Sequence, residues 1–71
     1  MDKNQLQKSA AEVRAAELYR HGAELWRRGD RAGAIAAYTE SAALDPTGPG
    51  ATALEMTRSI MDFYDTNLYN P

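Results

Sequence analysis

A chain of 71 residues with a net charge of −2 and 44% hydrophobic residues is one small domain, below the size at which a single core is comfortably stable. It has no cysteine, which excludes disulfides and thiolate chemistry, and a single histidine, His21. The charge is split, at +2 over residues 1–29 and −4 over residues 30–71, and this acidic balance argues against a nucleic-acid partner.

Leu, Ile, Val and Phe together number ten, whereas alanine alone contributes 13 residues. Such a core gains little apolar area per residue, so its stability depends on close helix contact and on a partner surface. The opening MDKNQLQKSAAEV lacks the apolar run of a signal peptide, and no stretch reaches the length of a membrane span. A cytoplasmic location with no membrane partner is the expectation.

In chain order, good helix formers and the absence of Gly or Pro before Gly22 predict one helix from about Asn4 to Arg28. Ala11, Ala15, Leu18, Tyr19, Gly22, Leu25 and Trp26 share its apolar face, with Arg14, Glu17, Arg20, Glu24, Arg27 and Arg28 opposite. Leu6 and Val13 fall among the charges, as an exposed first turn or as a second seam for another chain. Gly29 is placed to end this helix and Asp30 to cap the next. The tripeptide Arg28-Gly29-Asp30 also spells an adhesion motif, but its composition is that of an ordinary helix turn.

The second helix is expected over residues 31 to 44, with Ala34, Ile35, Tyr38, Ser41 and Ala42 inward. On its outer face Ala32, Ala36, Thr39 and Ala43 form a stripe with almost no side-chain bulk. Helix propensity alone accounts for such a stripe, and so does a flat seat for another helix.

Pro46 to Gly50 breaks the pattern. Residues 46–51 then form a linker, and Thr52 with Glu55 reads as a capping box opening a third helix. That helix, a capping or oligomerisation element over about 52–68, carries Ala53, Leu54, Met56, Ile60, Met61, Phe63, Tyr64 and Leu68 over an arc of roughly 180°. One neighbouring surface needs only about 100°. The excess makes Met56, Met61, Phe63, Tyr64 and Leu68 candidates for an oligomer interface, with Ala36 and Ala43 of the stripe beside them. Leu54 and Ile60 are expected to turn more toward the hairpin.

The spacing of small and large residues between Ala15 and Pro46 resembles the tetratricopeptide (TPR) repeat, a helix pair of 34 residues that normally occurs in arrays. Gly22 and Ala34 stand where the family needs small residues, and Leu25, Gly29, Asp30, Ile35, Tyr38, Leu44, Asp45 and Pro46 fall in register. Leu18 replaces the usual tryptophan, His21 the commoner leucine and Ser41 the expected alanine, so the repeat is divergent. The resemblance implies an all-α fold, a TPR-like αα-hairpin over 15–46 plus a C-terminal helix, with Gly22, Leu25, Ala34, Tyr38 and Pro46 as packing positions. It also implies protein binding. The carboxylate clamp of some family members needs Lys and Asn, and neither occurs between Ala15 and Pro46. Arg14 and His21 are the nearest polar candidates for a peptide, or else ordinary boundary residues.

No catalytic constellation, cofactor site or metal site is expected. Asp62 and Asp65 share a polar face, but no histidine or third carboxylate joins them. Arg27, Arg28 and Arg31 beside Trp26 could stack nucleic acid, yet they sit at a helix end where cations complement the dipole. The expectation is therefore a non-enzymatic interaction scaffold, self-associating as a homodimer. The alternative is a small adaptor that captures a peptide or helix of a different protein.

Overall fold

The computed structural model describes the backbone of residues 9–69 and the side chains of residues 9–62. Expectations for Leu6, Phe63, Tyr64, Asp65 and Leu68 therefore lie outside the described side chains. The described residues form an all-α unit of three helices with no strand: α1 (Ala10–Arg27), α2 (Arg31–Leu44) and α3 (Pro49–Tyr69).

The start of α1 differs from the sequence expectation. Ser9 is extended (φ −63°, ψ 158°) and caps the helix, accepting a hydrogen bond at its Oγ from the Glu12 N–H at 3.1 Å. The Glu12 carboxylate in turn accepts from the Ser9 N–H at 3.0 Å. This reciprocal capping box sets the boundary of α1 at Ala10, so the helix does not continue back through Ser9. Val13 lies off the packed face and is 46% exposed.

At the other end, Gly29 has φ +91°, a conformation that costs glycine little. The Gly29 N–H donates to the Trp26 carbonyl and the Asp30 N–H to the Leu25 carbonyl, at 3.0 and 2.9 Å, which is the Schellman pattern. Asp30 then acts a second time, its carboxylate accepting from the Gly33 N–H at 2.9 Å to cap α2. A single residue thus closes one helix and opens the next, which fixes a tight antiparallel hairpin.

Small residues dominate the contact between α1 and α2. Ala15, Leu18 and Gly22 of α1 are buried against Ala34, Ala37, Tyr38 and Ser41 of α2, and Ala34 is 0% exposed. Leu25 and Ile35 are half-buried at the edges. A Cβ on Gly22 would stand 2.6 and 2.7 Å from Cε1 and Cδ1 of Tyr38, so the tyrosine ring lies directly on the glycine backbone. Tyr19 stacks on the same ring, with centroids 6.0 Å apart and planes at 29°.

The connection to α3 occupies residues 45–48, and α3 begins at Pro49. The expected linker over 46–51 and capping box at Thr52 and Glu55 are corrected accordingly: Thr52 lies inside the helix and donates its N–H to the Gly48 carbonyl at 3.5 Å. Proline suits a first helical position because it has no N–H to leave unsatisfied and its φ is already helical. Pro46 is exposed in the turn.

This earlier start brings Gly50 against Ser41. A Cβ on Gly50 would collide with the Oγ and Cβ of Ser41. The same hydroxyl donates to the Ala15 carbonyl of α1 at 2.7 Å. All three helices therefore meet at Ala15, Ser41 and Gly50, and Ser41, 1% exposed, is the largest fully buried side chain among the described residues. The serine that departs from the repeat pattern is the one that ties α1 to α2.

Candidate interaction surfaces

α3 rests mainly on α2 and less on α1. Gly50, Leu54, Thr57 and Met61 fall within an arc of about 60° at 100° per residue. Gly50 and Thr57 are buried, and Leu54 and Met61 are half-buried. This is the face that packs on the hairpin. Met61, a candidate for the outer contact, belongs to it.

The remaining apolar arc stays open on one flank. Met56 is 61% and Ile60 40% exposed. Ile60 was expected to turn toward the hairpin, but Thr57 forms the edge of the packed face on that side and leaves Ile60, about 60° further round, at its margin. Between this flank and the hairpin lies a groove of ≈ 150 Å³ lined by Trp26, Tyr38, Ala53, Met56, Thr57 and Ile60. Near it the Arg31 guanidinium sits over the Trp26 ring, 5.2 Å from its centroid, a favourable cation–π distance. Sequence reasoning missed Thr57 as a packing residue because its side chain is polar. Its signal was positional, seven residues after Gly50 and three after Leu54.

Charges on α3 avoid the open flank. Glu55, Arg58 and Asp62 project from the side opposite Met56 and Ile60, whereas Thr52 and Ser59 border the apolar ridge; all five are exposed. On the α3 side the ridge thus has an uncharged rim, while on the hairpin side Arg31 stands over Trp26.

A second groove, ≈ 290 Å³, lies between α1 and α2 and is lined by Arg14, Leu18, Glu40, Ala43 and Leu44. Arg14 forms an ion pair with Glu17 at 3.3 Å across exposed side chains, so its charge is partly engaged. His21 is exposed and does not line either groove. Ala32, Ala36, Thr39 and Ala43 are all exposed on α2. The Thr39 hydroxyl donates to the Ile35 carbonyl at 2.7 Å, which folds it onto its own helix and keeps the stripe flat.

Two groups have shifted acidity. Glu24 accepts from Arg27 at 2.6 Å and pairs with Arg28 at 3.5 Å, and these guanidinium groups hold its carboxyl below the usual carboxylate range. Burial pushes the Tyr38 phenol above its ordinary value, with Tyr19 adding to the shift and Arg27 opposing it.

Among the described residues no group of three or more His, Asp or Glu is placed to hold a metal ion. None of their helices is long and apolar enough to cross a membrane. Compared with protein-family models, with curated proteins and with solved structures, the chain matches none.

Proposed function

We propose that the chain is a non-enzymatic, cytoplasmic protein–protein interaction module built on one TPR-like repeat, and that it self-associates as a homodimer. The repeat assignment is supported by the close approach of α1 and α2 at Gly22, Ala34 and Tyr38, where a Cβ on the glycine would meet an aromatic ring and the Ala34 carbonyl. Repeats of this kind bury their faces against neighbours.

The observation that carries self-association is the open flank of α3. Met56 and Ile60 are exposed beside a groove that also holds Trp26. Both continue the apolar arc whose other half already packs on the hairpin. A second copy would cover this flank with the kind of contact a solenoid supplies within one chain, and symmetric closure is the commonest arrangement for soluble chains.

Sedimentation equilibrium of the full chain at micromolar concentration tests the reading. The expected mass is twice 7.8 kDa, falling to the single-chain value when Met56 is replaced by Glu. A folded monomer across that range would refute self-association and favour an adaptor that captures a segment of a different protein.

A further inference from the structure

We infer that two copies pair through α3 in antiparallel orientation, about a two-fold axis at the level of residue 58, so that Met56 of one copy faces Ile60 of the other. The inference rests on the self-association proposed above and adds the surface, the orientation and the register.

Helix length supplies the first argument. The 14 residues of α2 rise about 21 Å and the 21 residues of α3 about 31 Å. Because Gly50 of α3 lies beside Ser41 and the helix runs back along α2, Ile60 comes level with Arg31 at the hairpin turn. Residues 61–69 then overrun the hairpin by about 13 Å. Trp26, in the last turn of α1, shares its groove with Ile60, which agrees with this placement. Among the described residues, α1 ends at Arg27 and α2 begins at Arg31, so neither continues alongside the overrun.

An antiparallel pair provides one. The open ridge, Met56 and Ile60, straddles the middle of α3, so a two-fold axis there brings residues 63–67 of one copy beside residues 49–53 of the other. The two 21-residue helices overlap over nearly their whole length. A parallel pair would set both overruns side by side beyond both hairpins and align the two helix dipoles unfavourably. Arg58 lies on the far side of the helix from the ridge, so its charge is not brought to the axis.

Charge supplies the second argument. A partner recognised by charge would need a charged rim to meet. Here Thr52 and Ser59 border the ridge, and Glu55, Arg58 and Asp62 point away. The α3 side of this surface can therefore face its own copy without like-charge contact, and the nearest cation on the hairpin side, Arg31, is engaged over the Trp26 ring. The small groove floor at Ala53 and Thr57 leaves room for the partner's Met56 or Ile60 to approach Trp26.

Charge-swap complementation of the full chain tests the pairing. Met56→Glu, Met56→Lys and Ile60→Lys alter exposed positions, and circular dichroism checks that each remains helical. Each alone is expected to weaken the dimer by at least about tenfold, as loss of a central interface residue does. Mixing Met56→Glu with Ile60→Lys should restore a heterodimer, because those positions face each other. Mixing Met56→Glu with Met56→Lys should not. Restoration by the second mixture instead of the first would overturn the antiparallel register. Failure of both mixtures, with the unmodified chain still dimeric, would overturn the α3 interface and leave self-association standing. An unmodified chain that is monomeric would remove both.

Discussion

Replacing Gly22 by alanine sets two effects of opposite sign against each other. Alanine is favoured over glycine in a helix interior by about 0.8–1.0 kcal/mol, so propensity alone predicts stabilisation. The new Cβ, however, would stand 2.6 and 2.7 Å from two ring carbons of Tyr38 and 3.3 Å from the Ala34 carbonyl oxygen. Carbon atoms prefer about 3.5–4.0 Å, so the ring must withdraw by nearly 1 Å. It cannot do so freely, because Tyr38 is buried and Tyr19 stacks on it. Two contacts this short with a ring that cannot withdraw freely put the overpacking cost in the upper part of the usual range, about 2–3 kcal/mol, and after the propensity gain a net loss of about 1–2 kcal/mol remains. In a domain of this size each kcal/mol moves the melting temperature by about 4–8 °C. Thermal unfolding followed by circular dichroism should therefore fall by roughly 5–15 °C. In a Tyr38→Leu background the penalty should shrink, and a double-mutant cycle would report that coupling. A Gly22→Ala variant with an unchanged or raised melting temperature would refute the close approach at this point.

Two further outcomes concern the junction of the helices and the ion pairs. Ser41→Ala should cost about 1 kcal/mol through loss of one buried hydrogen bond. Gly50→Ala should cost more, because its Cβ would meet Ser41, and combining the two changes should relieve only part of the strain since the residue-41 Cβ remains; urea unfolding measures all three. For Glu24, a folded-state pKa held below the ordinary value means that the ion pairs contribute above the unfolded pKa and are lost as pH falls through the folded one. The stability difference between the unmodified chain and Glu24→Gln should accordingly vanish in acid. Its amplitude is small, because the side chain is about half open to solvent.

Local chemistry made much of the fold legible. The all-α class follows from continuous 3.6-residue periodicity. The hairpin turn is encoded within six residues, since Gly29 is free to take positive φ and Asp30 carries a short acceptor for the next helix. The bounds of α2 at Arg31 and Leu44 follow from those neighbours. The start of α1 was equally local. Ser9 and Glu12 form a capping box that good helix formers on either side concealed.

Where α3 begins was not settled by local signals, because two competed. Thr52 with Glu55 has the composition of a capping box, while Gly48-Pro49 has that of a cap followed by a first helical residue. Tertiary contact distinguishes them: only with the earlier start does Gly50 nest against Ser41 inside the helix. The candidate surface divides in the same way. The sequence alone determined that α3 carries more apolar arc than one neighbour can cover, because periodicity depends only on residue order. Which half of that arc is open was decided by packing. The close approach of Gly50 and Thr57 to α2 turns Met61 and Leu54 inward and leaves Met56 and Ile60 outside, since a helix sits where its small residues allow its backbone nearest a neighbour.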